Sequence, residues 1–149
     1  MGNWILNMKF SDAKDFIRNA IESDSDLQGI PLSDAVTANY DDEVRSALRD
    51  TGLALVIVPV QGIRNTVERA VDIEHEIMVA VLENTLANST GNSALDVSQS
   101  LIVAIDNAAL SMNSRKLHLT SGTPAYELGT TEANPVTIFC NFKYRTLHT

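Results

Sequence analysis

The feature that most constrains the fold is a change in the spacing of apolar residues midway along the chain. Residues 53–60 form an uninterrupted, mostly β-branched apolar run, which is typical of a strand covered on both faces. Over residues 67–82 apolar and polar residues alternate, which predicts a second, longer strand. Pro59 predicts an edge or an end of pairing, and Gly62 predicts a turn over residues 61–66.

The long strand has two unlike faces over residues 71–82. One face would carry Val71, Ile73, His75, Ile77, Val79 and Val81. The other would carry Asp72, Glu74, Glu76, Met78, Ala80 and Leu82. Because the second face is acidic at one end and apolar at the other, only part of it can lie against a core.

Helical spacing predicts helices before and after these strands. Ser11 is a good N-cap for an N-terminal helix over about residues 11–23. Asp41 or Asp42 can cap a short second helix that stops at Gly52. Residues 27–40 favour a loop or an extended arm.

The strongest helical pattern predicts a main helix over about residues 95–112. Asn92 or Ser93 caps it, and Asp96 in its first turn suits the helix dipole. Its predicted apolar stripe contains Leu95, Leu101, Ile102, Ile105, Ala108, Ala109 and Met112.

Two further strand candidates, residues 117–128 and 135–147, follow the main helix. Short connections between neighbouring strands favour antiparallel pairing. The order of elements predicts an α+β fold, a mostly antiparallel sheet of about four strands with the main helix and an N-terminal helix packed on it. A length of 149 residues suits a single domain over residues 1–149.

The charge of the chain argues against tight nucleic-acid binding. The net charge is −8, made up of −5 in residues 1–50, −4 in residues 51–100 and +1 in residues 101–149. Tight binding to DNA relies on neutralising phosphates, which an acidic chain does poorly. The longest apolar runs are too short to span a bilayer, so we expect a protein made in the cytoplasm with no membrane partner. Cys140 is the only cysteine, which excludes an internal disulfide.

The most suggestive polar cluster is Asp72–Glu76. A metal site there would need further donors from elsewhere, and a solvated or subunit-facing strand end explains the same pattern. Three like charges on one face repel each other, so we expect cations close by, such as Arg64, Arg69 or the Arg145 of a neighbouring subunit. The predicted subunit-interface residues are Arg64, Arg69, Asp72, Glu74, Glu76, Lys143 and Arg145.

Familiar catalytic signatures are absent from the sequence. Cys140 could act as a nucleophile with His118 or His75. However, Cys140 is in phase with Ile138 and Phe142, where a small buried apolar residue belongs. We therefore expect no catalytic, cofactor or metal site, and a protein that is not an enzyme.

The order and length of the elements resemble the tail terminator proteins of long-tailed bacteriophages and the related tail-completion (neck) proteins. The resemblance rests on the N-terminal helix, the strands 53–60 and 71–82, the helix 95–112 and the closing strands to Leu147. The resemblance implies a structural virion protein that forms a hexameric ring. Such a ring caps the tail tube and joins it to the head connector.

The same resemblance implies the partners. They are other copies of the chain, the tail tube protein, a head-completion or connector protein, and DNA that passes through without sequence-specific binding. Another head-tail adaptor is a close alternative. An alternative of another class is a regulatory domain that binds a small ligand between the 95–112 helix and the sheet.

Overall fold

The structure is a computed structural model that describes residues 4–6, 10–36, 38–67, 70–111, 118–119, 125–127 and 135–148. Its elements in chain order are β1 (Trp4–Leu6), α1 (Phe10–Glu22), β2 (Leu32–Asp34), α2 (Tyr40–Asp50), β3 (Leu53–Val67), β4 (Ala70–Glu83), α3 (Ala94–Ser111), β5 (His118–Leu119), β6 (Ala125–Glu127) and β7 (Val136–His148). The helices and the sheet confirm the predicted α+β class. None of the described helices is long and apolar enough to cross a membrane.

The three long strands form the centre of one mixed sheet. β4 lies between β3 and β7 and is antiparallel to both. β2 pairs parallel with β3, while β7 carries β1 in parallel and β5 and β6 in antiparallel pairing on its other edge. The predicted antiparallel centre is confirmed. The parallel strands β1 and β2 were not predicted, because three residues are too few to produce an alternating pattern.

The predicted turn over residues 61–66 is wrong, because β3 continues through these residues to Val67. The register of the β3–β4 pair shifts between Pro59 and Gln61, which leaves Val60 as the extra residue of a β-bulge. A bulge tolerates a residue that cannot donate to the ladder, so pairing resumes after the proline. The chain reverses after Val67, which is paired with the first residue of β4.

The main core lies between the sheet and a layer formed by α1 and α3. Ile77, Val79 and Val81 of β4 are fully buried in it, which confirms the predicted face of that strand. α1 contributes Ile17 and Ile21, so two helices rather than the main helix alone cover this face.

The predicted apolar stripe of α3 is partly wrong. Leu95 is 68% exposed and Ile102 is only partly buried. The side of α3 that faces the core carries Ala94, Val97, Leu101, Ala104 and Ile105. The apolar side of α3 is wider than the part of it that is buried, so the spacing of apolar residues did not show which part packs on the sheet.

A smaller core lies on the opposite face of the sheet, under α2. Ala47 and Leu48 of α2 pack with Ala54 of β3, and Val44 and Leu82 border them. Residues 53–57 are consequently all buried, which confirms a strand covered on both faces over that part of the run.

Within the predicted loop or arm over residues 27–40, Leu27, Ile30 and β2 contact the rest of the same chain. Leu27 is fully buried in the main core, and β2 adds to the edge of β3. Lys14 of α1 hydrogen-bonds and ion-pairs with Asp34 of β2. Burial alone would raise the pKa of Asp34, but the hydrogen bonds from Lys14 and the Val36 N–H and the nearby positive charges lower it overall.

A buried carboxylate joins the end of β4 to the start of α3. Glu83 is 8% exposed; its Oε1 accepts the Ala94 N–H at 2.9 Å and its Oε2 accepts the Asn88 side-chain amide at 2.7 Å. The helix is also capped by Ser93, whose Oγ accepts the Asp96 N–H while Asp96 accepts the Ser93 N–H. This reciprocal pair confirms the predicted cap and fixes where α3 begins.

Candidate functional site

The central strands extend well past the helices that cover them. β3 has 15 residues and α3 has 18. At ordinary rises these correspond to roughly 50 Å of strand and roughly 27 Å of helix. Ile77, paired with Phe142, is the last β4 residue in the main core. Beyond it the three strands continue as a segment that we name the distal ladder, residues 61–67, 70–76 and 143–148.

The distal ladder holds most of the residues predicted for the subunit interface. Asp72, Glu74 and Glu76 occupy alternate positions of β4. In the β4–β7 register Glu74 is opposite Arg145 and Glu76 is opposite Lys143.

The pairing of Glu74 with Arg145 therefore occurs within one chain. Because Arg145 of the same chain is already opposite Glu74, no neighbouring subunit is needed to place an arginine there. Arg64 pairs with Ile73, out of phase with the three acids, and Asp72 is opposite Leu147. Arg69 lies outside the described residues.

A half-exposed apolar patch lies next to the distal ladder, on the face of the sheet opposite α1 and α3. We name it the central patch. Val58, Met78 and Asn141 form one row across the three strands, and Phe139 lies beside that row. All four side chains are partly exposed. The oxygen Oδ1 of Asn141 is buried and finds no hydrogen-bond partner in the part of the chain that the structure describes. A buried oxygen without a donor is costly.

The two edges of the sheet are covered unequally. On β7, β6 pairs with residues 137–139, β5 with residues 142–143 and β1 with residues 145–147. On β3, β2 pairs only with residues 55–57. Among the described residues, positions 58–67 of β3 thus have a neighbour on the β4 side alone. An edge of this length offers backbone groups to another strand.

The residues considered for catalysis do not converge. Cys140 pairs with Val79, and His75 is four residues further along β4, roughly 13 Å away at the rise of a strand. His118 pairs with Lys143, three residues from Cys140 along β7. Within the described ranges, no group of three or more His, Cys, Asp or Glu residues could hold a metal ion.

Burial makes Cys140 a poor nucleophile. It is 1% exposed, and desolvation raises the pKa of its thiol to about 11. Since the thiolate is the reactive form, a thiol protonated at neutral pH reacts slowly. We expect Ellman's reagent to leave Cys140 unmodified in the native protein at pH 7.5 and to modify it fully in urea. Fast stoichiometric modification of the folded protein would contradict the buried position.

The space proposed for a small ligand between the main helix and the sheet is filled. Val97, Leu101 and Ile105 of α3 are at most 2% exposed and belong to the same core as Val79 and Val81 of β4. This packing leaves the ligand-binding alternative without its expected pocket.

Comparison with known proteins adds no family assignment. No protein-family model matches the chain, and no curated protein is significantly similar to it. The resemblance to tail terminators therefore stays a prediction from the order of the elements.

Sequence reasoning did not single out the central patch. The alternation placed Met78 correctly on the second face of β4, but the interface was predicted only at the acidic end of that face. The missing information was the register, because only the β3–β4 and β4–β7 pairing places Val58 and Asn141 beside Met78. Register between strands depends on long-range pairing that a single sequence does not show.

Proposed function

We propose that this chain is a non-enzymatic structural subunit that assembles with copies of itself into a ring in a bacteriophage tail or neck. Within that class, we propose the role of a tail terminator, which caps the tail tube and joins it to the head connector. The observation that carries the proposal is the sheet that runs past its own core, with positions 58–67 of β3 open among the described residues.

The unequal edges support a ring over a two-fold dimer. One edge of the sheet is built from three short strands on β7, whereas on the other edge β2 covers only residues 55–57 of β3. A contact between unlike surfaces is heterologous, and heterologous contacts form rings when the rotation closes. A two-fold dimer would instead join like surfaces.

The charge of the chain supports the passage of DNA through such a ring. A net charge of −8 disfavours retention of DNA by phosphate neutralisation. A repulsive lumen would let the genome slide without sequence-specific contacts. The tail tube protein and a head-completion protein are the proposed partners on the two faces of the ring.

The central patch gives a direct test of assembly. Met78→Lys would place a charge in the middle of the patch, and we expect the ring to dissociate to subunits in sedimentation velocity. Leu86→Lys is the matched control, because Leu86 is 81% exposed in the loop after β4 and the chemical change is the same. The control should assemble as the wild type does.

Circular dichroism establishes that both variants are folded. If the two lysine variants assemble equally well, the central patch is not the contact surface. If the wild-type protein sediments only as a monomer, the ring itself is ruled out. Electron microscopy of the wild-type assembly should show a closed ring with a central channel wide enough for duplex DNA.

A further inference from the structure

An open groove runs between α1 and α3 on the side of the molecule away from the sheet. Its volume is about 590 Å³. Its floor is apolar, formed by Phe16 and Ala20 of α1 with Ala104 and Ala108 of α3. The groove exists because three of these four residues are alanines, whose side chains are too small to fill the space between two helices.

The rim of the groove is acidic. Asp12 and Asp15 of α1 border it, and Asp24 borders its end. A second depression of about 340 Å³ also reaches Asp24 and continues past Asp26 and Asp96. The two depressions thus share one side chain. We name the two together the acidic groove. Its described lining residues include five aspartates and no lysine, arginine or histidine.

The basic residues of α1 are engaged elsewhere. Lys14 bonds Asp34 of β2, and Arg18 lies 3.9 Å from Glu22 in an i,i+4 pair. Neither residue lines the acidic groove. Among the described residues that line the acidic groove, the charged ones are all aspartates.

We propose that the acidic groove is a docking site for a basic, amphipathic helix of another protein. Apolar side chains of that helix would lie on the alanine and phenylalanine floor, and its lysines or arginines would reach the aspartates of the rim. Placing an amphipathic helix in a groove between two helices is a common mode of recognition, and complementary charge sets its specificity.

The chain's own helices do not fit this description. α1, α2 and α3 together carry nine acidic residues and four basic ones, and α3 carries no basic residue. A helix from a second copy would bring further negative charge to the rim. A different protein with a basic helix is thus the better occupant, and this docking does not depend on ring formation.

The probe is a fluorescein-labelled leucine–lysine peptide of about 14 residues with leucines at helical spacing, roughly as long as α1. Fluorescence anisotropy would measure its binding to the full chain. A peptide with glutamate for each lysine and one with serine for each leucine are the comparisons. We expect both to bind at least about tenfold more weakly, because charge and apolar contact both contribute.

The site is located with two variants of equal charge change. Asp15→Lys/Asp26→Lys alters two exposed residues of the acidic groove and should weaken the leucine–lysine peptide about tenfold or more. Glu43→Lys/Asp50→Lys alters two exposed residues of α2, on the opposite face of the sheet, and should change binding less than about twofold.

Three outcomes would overturn the proposal. The first is an equal loss of affinity for the leucine–lysine peptide in the two double variants. The second is a serine peptide that binds the wild-type protein as tightly as the leucine–lysine peptide does. The third is a glutamate peptide that binds the wild-type protein at least as tightly as the leucine–lysine peptide. Thermal melts of both double variants separate a loss of binding from a loss of folding.

Discussion

Gly52→Ala should destabilise the protein by about 3 kcal/mol. Gly52 has a φ of 81°, in the left-handed region that alanine adopts only with strain. A Cβ built there would lie 2.8 Å from the carbonyl carbon of Ala87 and closer still to the backbone of Asn88. These atoms belong to the main chain of a loop, so they cannot rotate away as a flexible side chain could.

Gly29→Ala is the matched control. Gly29 has a φ of 90°, yet a Cβ there would meet nothing within 4 Å. Its substitution should therefore cost only the conformational strain, about 1 kcal/mol. Urea denaturation followed by circular dichroism measures both changes. Equal losses of unfolding free energy would mean that the loop 84–93 does not pack against the end of α2 as described.

Glu83→Ala should cost about 3 kcal/mol of unfolding free energy. The variant would leave the Ala94 N–H and the Asn88 side-chain amide without their shared acceptor at a site where Glu83 is only 8% exposed. The Ala94 N–H is buried, so leaving it without an acceptor carries the penalty of desolvation, whereas the part-buried Asn88 amide still donates to the Asn92 carbonyl.

Glu83→Gln separates the contribution of the charge from that of the hydrogen bonds. It retains one side-chain oxygen as an acceptor and should recover roughly half of the loss. Glu22→Ala is a surface control, because its pair with Arg18 spans 3.9 Å and both side chains are substantially exposed. Its effect should stay within about 0.5 kcal/mol. If Glu83→Ala behaved like Glu22→Ala, the carboxylate would not link β4 to α3.

Much of the fold was predictable because periodicity reports burial directly. The alternation in β4 identified Ile77, Val79 and Val81 as the core face, and the helical spacing found α1 and α3 to within one or two residues at the ends that the structure describes. The apolar run at 53–57 correctly indicated cover on both faces. These signals depend only on which residues avoid water.

The errors share a physical cause. Pro59 and Gly62 predicted an end to β3, but a bulge absorbed the proline and pairing with β4 outweighed the local turn preference. Leu95 was assigned to the core side of α3, but it lies at the border of an apolar side that is wider than the buried part. Neither outcome is encoded in neighbouring residues alone.

The candidate site was only partly predictable. The acids of β4 and the bases of β7 were both recognised, but their alignment depends on the β4–β7 register, which places Glu74 opposite Arg145. This register is set by long-range pairing between β4 and β7. The acidic groove was not predicted at all, because it requires α1 and α3 to lie side by side although about 70 residues separate them.

The central claim is that this chain functions by assembling with copies of itself. Native mass spectrometry of the purified wild-type protein tests it most directly, since one chain has a mass of 16.2 kDa. The account predicts one dominant closed species at a whole-number multiple of that mass, six in the tail terminator role. A mass of 16.2 kDa at every protein concentration would contradict it.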